Sequence, residues 1–160
     1  GFAIAVTLVF LIVCLPWIPI FEVYDLEKRE IIYKRYAPPS LEFDLLVFHS
    51  VELGYLTDRL RVEPNGSLRL VCSKFPTHGS GLPSVKTKGE TWIRNPKEFV
   101  LCRRGKIFWE LILRVEKENR NPLQIHNLLD NLPHTLVPKI GPGIYKIAIS
   151  KYSPMNMLFK

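Results

Sequence analysis

Residues 2–21 read FAIAVTLVFLIVCLPWIPIF, with no charged side chain and one clearly polar one, Thr7. Every Asp, Glu, Lys and Arg of this 160-residue chain therefore lies beyond residue 21. Twenty such residues in a helix rise about 30 Å, the thickness of a bilayer's hydrocarbon core. Pro16 and Pro19 fall where such a helix would stop, and Trp17 and Phe21 fall where interfacial aromatics collect. A cleaved leader has a shorter apolar run and small residues at its cut site, whereas this run ends Leu15-Pro16-Trp17-Ile18-Pro19. A buried core helix is the plainer alternative, and the length and evenness of the run argue against it. The sequence thus predicts a retained single transmembrane helix over residues 1–21, the lipid bilayer as its partner, and one folded domain over 22–160. The flanking charges mix Glu22, Asp25, Glu27 and Glu30 with Lys28, Arg29, Lys34 and Arg35. The positive-inside rule therefore assigns no orientation.

The rest of the chain is patterned mainly as β. Short β-favouring runs at 21–24 and 31–33 flank a charged turn. In the run 41–49, Leu41, Phe43, Leu45, Val47 and His49 share one face. In 55–62, Leu56, Asp58, Leu60 and Val62 share a face, while Tyr55, Thr57, Arg59 and Arg61 look outward. Further strands are predicted at 91–94, 98–103, 106–116 and 144–151. One short helix is predicted from Asn121 as cap and Pro122 as first residue, with Ile125, Leu128, Leu129 and Leu132 at helical spacing, stopped by Pro133. About eight short strands with one short helix predict an antiparallel β-barrel or sandwich behind the anchor.

One turn can be read in detail. Glu63-Pro64-Asn65-Gly66 suits a type I turn. With Gly66 left-handed it becomes a three-residue hairpin with a bulge. That register opposes Val62 to Leu68, Leu60 to Leu70 and Asp58 to Cys72. A two-residue Asn65-Gly66 turn would put Arg69 on the apolar face, so the bulged turn is preferred.

Asp58 stands out chemically, because an inward carboxylate is costly unless it is paired. If 41–49 and 55–62 form a hairpin with both apolar faces inward, one register pairs Val47 with Asp58 and sets His49 diagonal to it, within side-chain reach. His49, Ser50, Glu52 and Asp58 then gather at one end of the sheet. A His–Asp pair that pins the hairpin is the ordinary reading. A divalent-metal site drawn from His49, Glu52, Asp58 and His78 is the sharper one, although the spacing matches no standard motif. The stretch Pro76-Thr77-His78-Gly79-Ser80-Gly81-Leu82-Pro83 offers backbone N–H groups that could hold an anion. It is neither a P-loop nor a nucleophile elbow, and a well-formed loop is its plainer explanation. No catalytic residue, bound metal or cofactor is predicted.

Three cysteines exclude a disulfide-built miniprotein and a four-cysteine zinc site. Cys72 and Cys102 fall in predicted strands; in the register above Cys72 faces inward, which favours a reduced, buried thiol over a bridge. The net charge of +7 is spread as separate pairs at 28–29, 34–35, 86/88 and 103–104/106. It lacks the single basic face of a nucleic-acid protein, so no nucleic acid is expected.

Two segments resemble a known family. Phe43 to Val62, FDLLVFHSVELGYLTDRLRV, is similar to the His-Ser-Val-Glu segment of the domain of unknown function 1850 family. Phe75-Pro76-Thr77-His78-Gly79-Ser80-Gly81-Leu82-Pro83 is similar to that family's aromatic and Gly-Ser/Ala-Gly-Leu-Pro segment, in the same order. His49, Ser50, Glu52, Gly79, Gly81, Leu82 and Pro83 match by position. Asp58 stands where the family usually has Glu, and Leu53-Gly54-Tyr55 departs from its more usual polar-Pro pattern. The resemblance implies a small, prokaryotic, membrane-anchored protein of the kind often encoded beside TAXI-type TRAP transporters. It implies an extracytoplasmic domain and an accessory role in solute uptake, with a transporter membrane subunit or a solute-binding protein as partner, and it supplies no catalytic residues. Two other functions stay open: a metal-dependent hydrolase using His49, Glu52 and Asp58, and a binder of a small anionic solute at the 79–83 loop.

Overall fold

The computed structural model describes residues 2–49, 54–75, 88–95, 98–103, 106–115, 123–127 and 134–158. The leading apolar run does not form one helix. Helix α1 covers Phe2–Cys14, and β1, Ile18–Asp25, takes the last part of the run. Among the described residues no helix is long and apolar enough to cross a membrane. The helix expected over 1–21 is corrected in its bounds, ending at Cys14 with residues 18–21 in strand. Pro16 and Pro19 bias the residues before them towards extended backbone. From Ile18 onward the chain also has a better use for its apolar side chains, since Ile20, Phe21 and Val23 are buried.

The following strands are β2 (Glu30–Tyr36), β3 (Glu42–His49), β4 (Gly54–Val62), β5 (Leu68–Phe75), β6 (Glu90–Asn95), β7 (Glu98–Arg103), β8 (Ile107–Phe108), β9 (Glu110–Val115), β10 (Leu123–Asn127), β11 (His134–Ile140) and β12 (Gly143–Tyr152). A short α2, Pro154–Leu158, follows. One sheet has the order β2-β1-β12-β9. The other runs β11-β10-β3-β4-β5-β7-β6, with β8 also on β5. All pairings are antiparallel. Neither path returns on itself, so among the described residues there is no closed barrel.

One apolar core joins the two sheets. Phe21, Val23, Val115, Tyr145 and Ile147 come from the first, and Phe43, Leu45, Leu60, Val62, Leu68 and Leu70 from the second. The rings of Phe21 and Phe43 meet edge to face with centroids 5.1 Å apart. The alternation expected on Leu41, Phe43 and Leu45, and on Leu60 and Val62, is what buries them. On the outer face, Arg59 donates to Asp44 at 2.9 Å and Arg61 Nε to Glu42 at 2.8 Å across the β3–β4 pair. The bond to Asp44 raises the Arg59 guanidinium above its ordinary value.

The tip between β4 and β5 forms as expected. Gly66 has φ +91°, its N–H donates to Glu63 O at 2.9 Å, and Glu63 N–H donates to Ser67 O at 2.8 Å. Asn65 Oδ1 accepts from the Ser67 N–H and hydroxyl, which satisfies the tip internally. Val62 opposes Leu68 and Leu60 opposes Leu70.

Two other elements differ from expectation. The strand expected over 106–116 is two strands in different sheets. β8 pairs with β5 and β9 with β12, and the crossover at Trp109 leaves that side chain 67% exposed. The helix expected from Asn121 falls partly outside the described residues, and Leu123–Asn127 within it is strand, paired on one side with β3 and on the other with β11. β3 would otherwise present an open backbone edge, and Ile125, His126 and Asn127 are indifferent helix formers. Tertiary pairing therefore overrides the weak helical spacing.

Candidate functional site

The residues singled out from the sequence are only partly described. Ser50, Glu52, His78, Gly79, Ser80 and Gly81 lie outside the described residues. Asp58 sits half-buried on β4, and the Ser73 hydroxyl donates to its Oδ1 at 2.5 Å. The β3–β4 register pairs Leu45 with Asp58, Val47 with Leu56 and His49 with Gly54. The hairpin keeps its expected facing, but it is shifted by one pleat repeat from the register that paired Val47 with Asp58. His49 stands four residues along the ladder from Asp58's partner Leu45, about 13 Å at strand rise. The register expected to pair Val47 with Asp58 and set His49 diagonal to it is corrected accordingly. Among the described residues no group of three His, Cys, Asp or Glu could hold a metal ion.

The cysteines differ from expectation as well. Cys72 and Cys102 oppose each other on β5 and β7 and form a disulfide. A register shift in β4–β5 is responsible. Leu60 opposes Leu70 but Arg59 opposes Cys72, leaving Val71 as an extra residue. The bulge turns Cys72 off the face of Leu68 and Leu70 and sets Ser73, not Cys72, opposite Asp58. The expected inward, reduced Cys72 is thus corrected.

A cleft missed by the sequence reading lies on the first sheet. Its walls are Ile20, Lys34, Arg35, Tyr36, Tyr152 and Asn156, around a volume of about 180 Å³. The pairings Ile20–Tyr36 and Ile18–Tyr152 bring three distant stretches of chain to one place. Beside it, Glu22 accepts hydrogen bonds from the hydroxyls of Ser150 and Tyr152. The bond to Glu22, aided by burial, pushes the Tyr152 hydroxyl up to about 12. Ser153 caps α2 by accepting from the Asn156 N–H at 3.1 Å. Among the described residues neither Lys34 nor Arg35 forms a salt bridge. In the sequence Lys34-Arg35 is one of several basic pairs, and no local signal brings residues 152 and 156 to it.

The cleft lies at the foot of α1. The Trp17 N–H donates to Tyr152 O at 3.2 Å, and Cys14 Sγ lies 4.0 Å from Met155 Sδ of α2. On α1 itself residues 4–8, more than one helical turn, are all exposed, Ile4 at 67% and Leu8 at 55%.

A family model described as a domain of unknown function (DUF1850) matches residues 43–130, more than half of the chain. The chain belongs to this family. The DUF1850 match takes in both segments noted in the sequence, the β3–β4 hairpin and the 75–83 stretch, and continues through β10. It excludes every residue of the Lys34–Arg35 cleft, and α1, β1, β2, β11 and β12 with it. No curated protein and no solved structure matches the chain.

Proposed function

We propose that this DUF1850 protein is held at a membrane by its N-terminal segment and presents an extracytoplasmic β-domain that assists a TRAP-type solute transporter or its binding protein, without chemistry of its own. The observation that carries the membrane part is α1. Its residues 4–8 are exposed through more than one full turn, and the element has no charge on any side. A helix apolar all round belongs in an apolar surrounding. Leu15 and Trp17, 55% and 57% exposed, continue that surface to the edge of the folded domain. The Cys72–Cys102 disulfide supports an oxidising compartment. The transporter part rests on the family resemblance.

Fractionation of the intact chain followed by co-purification in mild detergent tests both parts. The reading expects the chain in the membrane fraction and a transporter membrane subunit or solute-binding protein in the eluate. Recovery in the aqueous fraction overturns the anchor. Recovery as a lone monomer despite co-expression of the transporter overturns the accessory role. For the hydrolase and anion-binding alternatives, the β3–β4 register sets His49 opposite Gly54, and Glu52 and the 79–83 loop lie outside the described residues.

A further inference from the structure

We propose that the α1 end of the β-domain seats directly on the bilayer surface, with Trp109 as a second interfacial anchor beside Trp17. The inference rests on the reading of α1 as a membrane element and adds to it a face on which the domain rests.

Three observations carry it. The first is where Trp109 lies. The Trp17 N–H donates to Tyr152 O and Ile18 stands opposite Tyr152, so α1 joins the domain at the Tyr152 end of β12. Glu110 stands opposite Ala148, which sets Trp109, the residue before it, alongside Ile149. Ile149 precedes Tyr152 by three residues, about 10 Å at strand rise. The β4–β5 tip is at the same end, since Ile149 and Lys151 each place an atom 3.8 Å from where a Cβ on Gly66 would stand. β8 runs towards that tip, with Ile107 opposite Arg69 and Phe108 opposite Leu68, and β9 runs away from it. Trp109 is therefore the bend between them at the α1 end, and it is 67% exposed.

The second observation is an asymmetry between the two ends. Among the described residues beyond α1, the large apolar side chains more than half exposed are Leu15, Trp17, Tyr36, Trp109 and Ile112. All but Ile112 belong to the α1 end, where Tyr36 stands opposite Ile20, two residues from Ile18. The opposite end carries the turn after β1, on which Glu27, Lys28 and Arg29 are exposed. Apolar side chains scattered singly are ordinary, but their collection at one end marks an interaction face.

The third is continuity with α1, which favours lipid over a protein partner. Trp17 joins the exposed apolar helix to this face, and only β12 separates β1 from β9. A domain leaning towards β9 brings the Trp17 and Trp109 rings to one level, the headgroup layer in which such rings collect. The charges agree with that surrounding. Glu63 at the tip and Glu110 beside the bend face Arg69 at 2.6 Å and Lys146 at 4.0 Å. Lys151 is exposed, stands opposite Pro19 and has no salt bridge among the described residues, which leaves it to meet lipid phosphate.

The experiment places the full chain in vesicles of phosphatidylcholine brominated near the headgroup end of its acyl chains and reads tryptophan fluorescence. Three double variants each keep one ring: Trp17→Phe/Trp92→Phe keeps Trp109, Trp92→Phe/Trp109→Phe keeps Trp17, and Trp17→Phe/Trp109→Phe keeps Trp92. The lipid bromine should quench Trp17 and Trp109, both shielded from aqueous iodide, and should not quench Trp92. In the otherwise native chain, Trp109→Phe should remove about half of the bromine-quenched emission, one of two interfacial rings, and leave flotation intact. Quenching of Trp17 without Trp109, or of Trp92 as strongly as Trp109, overturns the seating and leaves the anchor standing. A chain that does not float overturns the anchor and this inference together. A Trp109 open to iodide until a co-expressed transporter subunit covers it would reassign the bend to protein docking and overturn the lipid assignment.

Discussion

The Ser73 hydroxyl donates to Asp58 Oδ1 at 2.5 Å across the β4–β5 pair, and a bulge at Val71 is what sets the two residues opposite each other. Asp58 was conspicuous in the sequence as a carboxylate on an apolar face. Its serine partner lies on the next strand, while His49, the histidine expected diagonal to it, stands four residues along β3 from Leu45, which opposes Asp58. Ser73→Ala should lower stability by about 1 kcal/mol, the net value of one such hydrogen bond to a half-exposed carboxylate. A double-mutant cycle in urea between Asp58→Ala and Ser73→Ala should show coupling of similar size, and the cycle with His49→Ala should show almost none. Coupling of Asp58 to His49 as strong as to Ser73 would contradict the β3–β4 register.

The disulfide makes a second claim on the same bulge. Cys72 and Cys102 are 30 residues apart in sequence, and closing a loop of that length removes about 3–4 kcal/mol of chain entropy from the unfolded state. Cys72→Ala/Cys102→Ala, or reduction of the native chain, should lower stability by that amount. Thermal melting with and without reductant measures it, and alkylation followed by mass spectrometry counts the free thiols. One free thiol is expected before reduction, on Cys14. Three would mean that the strands face each other without a bridge.

Local chemistry made much of the second sheet legible. Pro64, Asn65 and Gly66 specify one turn, and that turn sets the pairing of Val62 with Leu68. The alternation of Phe43, Leu45, Leu60 and Val62 places the core. What lay hidden depends on partners remote in sequence. Val71 bulges without a glycine or a proline to announce it, and it alone decides whether Cys72 or Ser73 faces Asp58. Leu123–Asn127 is drawn into strand by the open edge of β3, some eighty residues upstream. The apolar run to Phe21 is uniform in composition, so composition cannot show that its last residues are core and its first are surface. Lys34 and Tyr152 meet only because β1 pairs with both β2 and β12.

Gly143 offers a prediction about backbone conformation. Its φ is +152°, and a Cβ there would come within 2.9 Å of the Tyr145 hydroxyl oxygen. That hydroxyl folds back to donate to the carbonyls of Gly141 and Pro142, at 3.2 and 3.3 Å. At Gly66 the strain is conformational alone, since the nearest atoms to an added Cβ are 3.8 Å away. Gly66→Ala should therefore cost about 1 kcal/mol, and Gly143→Ala about 2–3 kcal/mol. Tyr145→Phe should recover part of the loss in Gly143→Ala and none in Gly66→Ala. Chemical denaturation of the five proteins checks this, and equal losses at the two glycines would mean that Tyr145 does not pack against Gly143.

The hydrogen bond to Glu22, followed by burial, pushes the Tyr152 hydroxyl up to about 12 from an ordinary 10. Burial first, then the charges of Asp25 and Glu27, raises Tyr145 in the same direction. A group whose folded-state value exceeds its unfolded one holds its proton more tightly when folded. The stabilisation it brings is complete below about pH 10 and is lost as pH rises towards 12. Tyr152→Phe removes both the titrating hydroxyl and its bond to Glu22. The variant should be less stable than the native chain at neutral pH, and the gap should close between pH 10 and 12 as the native chain loses this contribution. Melting temperatures across that range, with Tyr145→Phe beside them to separate the two tyrosines, decide it. A gap that stays constant up to pH 12 would mean that Tyr152 is not held by Glu22.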